Sequence, residues 1–239
     1  HPFNMHWNPS RSPLCAVLGW LLLTKVVLAG ATRPDWLIDP GPYRAQVQVR
    51  RDRPELILDN GLLRRVIRIE PNAATVALEH RVTGESLIRG VKPEAVVEID
   101  GKRLEVGGLQ GQPNYAFLRP EWESQLKARP EAFRYVGHQV GVPQERMVWK
   151  RVRHHAPGVQ WPPRGVTLRL DFEAPPEPAS GPSLRGLRIS VHYELYDGLP
   201  CYSKWLTLSN GTDRAVTLDR FSCEVLAAVE RDSEVDELT

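Results

Sequence analysis

The chain has 239 residues, of which 41% are hydrophobic and 25% are charged, which is the composition of a globular protein with a hydrophobic core. That composition excludes an intrinsically disordered, a collagen-like or a multi-span membrane protein. Three cysteines are too few for a disulfide-stapled scaffold, and 31 basic against 29 acidic residues leave a net charge of only +2.

The first 31 residues have the pattern of a secretory signal peptide. The apolar run Leu14–Leu23 follows Arg11 and precedes the small triplet Ala29-Gly30-Ala31, a typical cleavage site. Lys25 makes the run too short for a spanning helix, although an uncleaved anchor is the alternative. The sequence therefore predicts a secreted or periplasmic protein. Because Arg11 and Lys25 leave with the peptide, 29 basic and 29 acidic residues remain, and a neutral chain argues against a nucleic-acid partner.

Alternating apolar and polar residues predict strands along the rest of the chain, after a linker and first strand at 32–55. Apolar residues occupy every second position over 187–195, and a similar pattern covers 166–172. Weaker alternation is present at 47–49 and 95–99. Strands with one apolar and one polar face are typical of antiparallel sheets with one solvated side.

Turn dipeptides separate these predicted strands. They are Asn60-Gly61, Asp100-Gly101, Asp197-Gly198 and Asn210-Gly211. Asx-Gly favours tight hairpin turns, because the central residues of those turns need positive φ. Helical spacing is limited to Pro120–Arg129, which Pro120 and Pro130 bound. The sequence thus predicts an all-β, antiparallel fold with one or two short helices in loops.

Two loops, around 107–130 and 154–163, combine aromatic and polar side chains and are candidate ligand-binding segments. A flat ring on a polar loop is a stacking platform for the apolar face of a sugar. The candidate sugar contacts are Tyr115, Arg119, Trp122, His154, His155 and Trp161. Core packing is the alternative for the tryptophans, and a polar surface is the alternative for the histidines. Adjacent residues on a strand point to opposite faces, which argues against a metal shared by the two histidines.

The sequence contains no motif of the common catalytic classes. It lacks a G-x-S-x-G elbow, a G-x-G-x-x-G loop, a phosphate loop, H-E-x-x-H and C-x-x-C. Its carboxylates alone do not indicate a glycosidase pair. We therefore predict no catalytic residue, no metal site and no cofactor from the residues alone.

Four segments carry a family resemblance: 58–89, 107–122, 143–172 and 189–230. The last is the most specific and contains Tyr196-Asp197-Gly198-x-Pro200, Lys204-Trp205 and Asn210-Gly211. Together they resemble the N-terminal region of bacterial α-galactosidase-like glycoside hydrolases. The resemblance implies that 56–230 form a two-layer β-supersandwich, similar to the galactose mutarotase sandwich. Residues 231–239 would be a truncated acidic connector to a catalytic (β/α)₈ barrel.

The resemblance implies a non-catalytic β-sandwich that supports the barrel and lends loops to a sugar pocket. No residue matches a catalytic motif of that family, so none is carried over. The implied partners are an α-galactoside-type carbohydrate and the barrel of the same chain, and homo-oligomerisation stays open. The alternatives are a stand-alone mutarotase-type enzyme, in which His154 and a glutamate transfer protons, and a carbohydrate-binding module.

Two cysteines remain after export, because Cys15 belongs to the signal peptide. We expect Asn210–Arg214 to be a hairpin loop centred on Thr212. In that register Cys201 and Cys223 lie opposite each other, about 4.5 to 5.5 Å apart at Cα and within disulfide range. The prediction is that the two cysteines lie opposite each other; a Cys201–Cys223 disulfide and two buried free thiols are the alternatives that this register leaves open.

Overall fold

Antiparallel strands make up about half of the chain that the computed structural model describes, which is residues 34–148, 160–175 and 183–229. Strand accounts for 48% of the structure and helix for 3%, so the expected all-β sandwich is confirmed. The predicted signal peptide, the connector 231–239, His154 and His155 lie outside the described residues.

The strands are β1 (Gln46–Val49), β2 (Glu55–Asp59), β3 (Leu63–Arg68), β4 (Ala74–His80), β5 (Glu85–Ser86), β6 (Ile88–Gly90), β7 (Ala95–Ile99), β8 (Lys102–Val106), β9 (Leu109–Gln110), β10 (Lys127–Ala128), β11 (Arg134–Gly141), β12 (Gly165–Glu173), β13 (Leu187–Tyr196), β14 (Tyr202–Asn210), β15 (Leu218–Ser222) and β16 (Ala227–Ala228). They form a five-stranded sheet in the order β1-β2-β3-β4-β5 and a four-stranded sheet in the order β11-β12-β13-β14. A three-stranded sheet has the order β15-β7-β8, and β9/β10 and β6/β16 are short pairs.

The main core is built by the apolar faces of the three larger sheets. In β12 every second residue is buried, and β13 buries the same face, as the alternation predicted. Leu56 and Leu58 of β2 and Val97 of β7 belong to the same buried cluster. Large side chains that are fully buried include Phe133, Leu168, Leu170, Phe172, Leu187, Ile189 and Tyr193. Each such side chain contributes about 1.5–3 kcal/mol by leaving water, so this sandwich interior is the main source of stability.

A second, smaller core lies on the other face of the five-stranded sheet. Because side chains alternate along a strand, Ile57 points away from its neighbours Leu56 and Leu58 and packs with Val66 and Val76. Leu109 and Leu126 cover this face from outside the sheet. The second core therefore places the 107–130 loop against the five-stranded sheet.

Three of the four predicted Asx-Gly turns connect paired strands. Asn60-Gly61 joins β2 to β3, Asp100-Gly101 joins β7 to β8, and Asp197-Gly198 lies in the connection between β13 and β14. At the second turn both central residues have positive φ, 51° for Asp100 and 73° for Gly101. Those angles are the ones that a tight hairpin turn of this class requires.

The fourth prediction, a hairpin at Asn210-Gly211, is wrong. β14 is an edge strand of its sheet, whereas β15 pairs with β7 in another sheet. The Asn210 side chain closes a local turn, with its amide nitrogen donating to the Arg214 carbonyl at 2.8 Å. Arg214 then pairs with Asp100 at 2.8 Å, and the Thr217 N–H donates to the same carboxylate at 2.9 Å. These contacts direct the chain to β7 instead of back along β14.

The predicted helix over Pro120–Arg129 is shorter than expected. A 3₁₀ helix spans Pro120–Gln125, and Leu126 is extended with φ −67° and ψ 142°. Leu126 is buried in the second core, and the next residues form β10. Burial of one leucine thus ends the helix that the local sequence favours.

The predicted linker is part of the sandwich in its described residues. Tyr43 is buried, and its carbonyl accepts a hydrogen bond from the Gly198 N–H at 2.7 Å. Asp197 accepts from the Ala45 N–H at 2.8 Å and pairs with Arg44 at 2.9 Å. The segment before β1 is therefore anchored to the β13–β14 turn.

The register predicted for the cysteines is also wrong. It required β14 to pair with the strand through Ser222, but that strand pairs with β7. Cys201 is exposed, Cys223 is half-buried, and both are free thiols in the structure. A Cys201–Cys223 disulfide loses its geometric basis, because the chain leaves the sheet between the two cysteines.

We expect both thiols to react in the folded, non-reduced protein spanning residues 32–239. Treatment with iodoacetamide should add two adducts to the intact mass, and Cys201 should react faster than Cys223. The reason is that burial raises the pKa of the Cys223 thiol and slows thiolate formation. A protein that takes up adducts only after reduction would show that the two thiols are bonded after all.

Candidate functional site

The loop with three of the predicted sugar contacts is anchored by the buried side chain of Gln112. The Gln112 amide nitrogen donates to the carbonyl oxygens of Arg89 and Phe117, both at 3.0 Å. Its oxygen accepts from the Val91 N–H at 3.0 Å. These hydrogen bonds hold the loop in place, while Tyr115 and Phe117 stay 40% and 42% exposed.

Arg119 and Trp122 lie together in a cation–π cluster. The guanidinium carbon of Arg119 is 5.1 Å from the Phe117 ring and 5.8 Å from the Trp122 ring, and those two rings are 5.3 Å apart. Tyr115 is separate, with the Lys92 ammonium 5.0 Å from its ring. The structure thus brings two of the predicted sugar contacts, Arg119 and Trp122, into one cluster, and Phe117 is its third member. The Arg119 guanidinium therefore already covers part of the ring surface on which a sugar would stack.

Trp161 belongs to another part of the sandwich, since it precedes β12 of the four-stranded sheet. It is 39% exposed and is joined to Pro162 by a cis peptide bond. Trp161 thus lies in a bend that leads into β12, in a different segment of the chain from the 107–130 loop. The roles of His154 and His155 stay predictions, and so does the mutarotase alternative that depends on His154.

A groove with a volume of about 240 Å³ crosses the outer face of the four-stranded sheet. Side chains alternate between the two faces of a strand. Because Leu168 and Val191 point into the core, the residues next to them in β12 and β13 point to this outer face and line the groove. The side chains that line it include Gln139, Arg146, Arg169, His192, Glu194 and Trp205. We call it the sheet groove.

Trp205 lines the sheet groove from the edge strand β14. Its ring stacks on His192, with centroids 4.8 Å and planes 8° apart, because the two residues are partners in the β13–β14 register. The Arg146 guanidinium carbon lies 3.8 Å from the Trp205 centroid. Arg146 Nη2 also donates to Glu194 Oε2 at 3.1 Å, and the Tyr196 hydroxyl donates to the same oxygen at 2.9 Å.

The charges of the sheet groove balance. The Glu194 side chain is only 5% exposed and is paired with Arg146, whose side chain is 39% exposed. Arg169 is paired with Asp171 at 2.9 Å. Burial lowers the pKa of His192, and the charge of Arg169 lowers it further. The imidazole is therefore neutral at pH 7, and the groove presents polar groups without a net charge.

A buried ion cluster joins β3 and β14 on the core side. Arg65 Nη1 donates to Glu224 Oε2 at 2.8 Å, and Lys204 Nζ donates to Glu224 Oε1 at 2.9 Å. Glu94 Oε2 lies 3.7 Å from both Arg65 and Lys204 and accepts a hydrogen bond from the Tyr193 hydroxyl. The side chains of Arg65, Glu94 and Lys204 are 3%, 1% and 5% exposed.

Both carboxyls of this cluster are held in the ionised form. Burial alone would raise the pKa of Glu94, but Lys204 and Arg65 lower it below its ordinary value. Burial also acts to raise the pKa of Glu224. The hydrogen bond and charge of Arg65, followed by Lys204, outweigh burial and lower that pKa to about 2. A general acid or base needs a pKa near the working pH, so this cluster is suited to holding the sheets together and not to proton transfer.

The described residues show neither a metal site nor a membrane helix. Across 34–148, 160–175 and 183–229, no group of three His, Cys, Asp or Glu side chains is arranged to hold a metal ion. In the same residues no helix has the length and apolar character needed to cross a membrane.

No protein-family model, no curated protein and no solved structure matches this chain.

The residues of the sheet groove were not among the predicted sites. Strand alternation does contain a signal for Trp205, which shares its face of β14 with Ser203 and Thr207 and not with the leucines. The same pattern puts His192 on the polar face of β13. No local signal places Arg146 over Trp205, because that contact joins a loop to a distant strand.

Proposed function

We propose that this chain is the non-catalytic β-sandwich region of an exported α-galactosidase-type glycoside hydrolase, and that it supports a catalytic barrel. The all-β architecture and the four resembling segments agree with this proposal. The observation that carries it is an apolar surface on β14 and β15.

This surface, which we call the apolar edge, is formed where two edge strands meet. A cavity of about 90 Å³ is lined by Val97, Ile189, Leu206, Leu208, Leu218 and Phe221. All residues of β15 are exposed, including Leu218 at 44% and Phe221 at 62%. Exposed apolar patches of this kind mark protein interaction sites, because water contact with them is unfavourable.

The resemblance identifies the expected occupant as the barrel. β14 and β15 belong to the segment 189–230, in which the resemblance is most specific. In the family that this segment resembles, a barrel follows the sandwich. A barrel packed on the apolar edge would remove Leu218 and Phe221 from water.

The coding sequence beyond Thr239 provides the test. We expect it to encode a barrel with aspartates at strand ends, and the longer protein to hydrolyse p-nitrophenyl α-D-galactopyranoside. Residues 32–239 alone should show no turnover above a buffer blank. Glycoside hydrolysis needs two facing carboxylates, and the sequence of this segment does not indicate such a pair. A stop codon directly after Thr239, or turnover by the short protein that a point substitution abolishes, would contradict the proposal.

The apolar edge can be tested in the same longer protein. The double variant Leu218→Ser, Phe221→Ser should weaken the contact between the two domains and lower the melting temperature of the longer protein. The same substitutions in residues 32–239 alone should lower the melting temperature less, since Leu218 and Phe221 are already 44% and 62% exposed there. Equal destabilisation of both forms would show that these residues are core and not interface.

A further inference from the structure

We propose that Asn210 is a modification site, at which the dipeptide Asn210-Gly211 deamidates to aspartate and isoaspartate with water as the only co-reactant. The sequence holds one other Asn-Gly dipeptide, Asn60-Gly61, which provides a comparison within the same chain. The two asparagines lie in opposite environments, and this difference assigns the reaction to Asn210. Neither a barrel nor a bound sugar takes part in it.

Deamidation begins with an attack by the backbone on the side chain. The Gly211 nitrogen bonds to Asn210 Cγ, the Cγ–Nδ2 bond breaks, and the proton of the Gly211 nitrogen passes through water to the leaving nitrogen, which departs as ammonia. Water then adds across one C–N bond of the resulting succinimide ring and gives aspartate or isoaspartate, so no oxidant or reductant is needed. Glycine hinders this attack least, because it has no Cβ beside the attacking nitrogen.

The Asn210 side chain is folded over the nitrogen that has to attack it. Its Oδ1 accepts from the Thr212 N–H at 3.0 Å and from the Thr212 hydroxyl at 2.6 Å. The ring closed by the first of these bonds contains both Asn210 Cγ and the Gly211 nitrogen, which keeps the two reacting atoms near each other. Both donors face the oxygen that becomes negatively charged when Cγ is attacked, and donors in this position lower the barrier.

Asn60 lies in a similar turn but is protected. Its Oδ1 also accepts from two N–H groups, those of Leu62 and Leu63. However, Asn60 is only 1% exposed, and its amide nitrogen donates to the carbonyl oxygens of Tyr196 and Leu199 at 2.8 and 2.7 Å. Both amide hydrogens are therefore held, and the water that the reaction needs is kept away.

Asn210 lacks this protection. It is exposed at the end of β14, and within the described residues its amide nitrogen donates a single hydrogen bond, to the Arg214 carbonyl at 2.8 Å. The second amide hydrogen faces no acceptor in that part of the chain, and water can reach the side chain. The nitrogen can therefore leave as ammonia more easily at Asn210 than at Asn60.

One hydrogen bond slows the reaction in the folded chain. The Gly211 N–H donates to the Gly186 carbonyl at 3.1 Å, which keeps the proton on the attacking nitrogen. This contact lies beside the last residue of an edge strand, where Asn210 pairs with Leu187. Strand ends open locally at a lower free-energy cost than the whole sheet, so the nitrogen is freed without global unfolding.

Deamidation should loosen the connection between β14 and β15. An aspartate at this position places a carboxylate oxygen where Nδ2 donated to the Arg214 carbonyl, and the two oxygens repel each other. Isoaspartate also lengthens the backbone by one carbon atom. Because Arg214 pairs with Asp100 at the turn after β7, the modification acts on the contact that leads the chain to that sheet.

The test follows folded residues 32–239 between about pH 7 and about pH 9, with peptide mapping by mass spectrometry at intervals. We expect Asn210 to deamidate at least about tenfold faster than Asn60. The rate at Asn210 should rise with pH, because the attacking nitrogen has to lose its proton. In urea the two rates should become similar, since unfolding removes the difference in environment.

Three variants examine the site itself. Thr212→Val removes the hydroxyl donor and should slow deamidation of Asn210 about threefold or more. Thr207→Val changes another threonine at the same end of the chain's edge strand β14 and is the matched control, with an unchanged rate. Asn210→Asp reproduces one product and should have a lower melting temperature than the unmodified wild-type protein.

The proposal is overturned if the rate at Asn210 in the folded protein is less than about tenfold that at Asn60. A wild-type rate in Thr212→Val would refute the role of the hydroxyl donor, and an unchanged melting temperature in Asn210→Asp would refute the loosening of the turn. If Thr212→Val itself melts much earlier, the comparison of the two asparagines in the wild-type protein decides the result, because it needs no substitution. None of these results bears on the barrel, so the two proposals fail separately.

Discussion

Replacing Glu94 with glutamine should lower the free energy of unfolding by about 3–5 kcal/mol, the largest effect expected of a single polar substitution in this protein. The substitution leaves Arg65 and Lys204 buried with only Glu224 to compensate two positive charges. It also weakens the bonds that Glu94 Oε1 accepts from the Thr75 N–H and hydroxyl, at 2.6 and 2.8 Å. Urea unfolding followed by circular dichroism should show a lower midpoint with an unchanged m-value.

Two companion variants separate charge compensation from a general effect of mutation. Glu131→Gln alters an exposed glutamate in a turn and should change the stability by less than about 0.5 kcal/mol. In the double variant Glu94→Gln, Arg65→Met, the cost should be less than the sum of the single costs, because removal of one buried cation relieves the imbalance. A Glu94→Gln midpoint equal to that of wild type, or strictly additive costs, would refute the proposed role of the cluster.

Acidification should destabilise the protein through Glu224. Its pKa is about 2 in the folded chain against an ordinary value of 4.5, so folding favours the ionised form. For a carboxyl whose pKa is depressed, the stabilisation is complete above pH 4.5 and disappears as the pH falls towards 2. The difference corresponds to a loss of about 3 kcal/mol across that window, and the lowered pKa of Glu94 adds in the same direction. Unfolding free energies measured by urea titration between pH 6 and pH 2.5 should reveal it.

The acid dependence should be smaller in Glu224→Gln, whose side chain does not titrate. Between pH 4.5 and 2.5 its stability should fall less steeply than that of wild type, although it starts from a lower value at pH 6. Glu131→Gln should retain the wild-type slope. Identical slopes for wild type and Glu224→Gln would mean that other carboxyls cause the acid sensitivity.

Much of the fold could be predicted from local patterns. The alternation over 187–195 and 166–172 marked β13 and β12 with their buried faces, and three Asx-Gly dipeptides marked connections between paired strands. These predictions succeeded because the side-chain period of a strand and the φ preference of glycine depend on residues close together in the chain. The same kind of information placed a helix start at Pro120.

The failures all involve contacts between distant segments. Asn210-Gly211 has the same local chemistry as the other turns, yet Asp100 draws the following segment to β7 and the expected cysteine register is lost. Leu126 ends the 3₁₀ helix because it fills the second core. Of the predicted sugar contacts, Arg119 and Trp122 do lie together, whereas Tyr115 is separate from them and Trp161 lies in the segment before β12.

Sequence by itself therefore determined that this protein is an antiparallel β-protein, and it located β12 and β13 with the apolar face of each. Only the tertiary structure decided which strands pair, that Arg65, Glu94, Lys204 and Glu224 meet in a buried cluster, and that Arg146 lies over Trp205. The physical reason is that a strand pattern fixes the direction of a side chain but not its partner. The partner depends on long-range packing and on the pairing of buried charges, which bring together residues far apart in the chain.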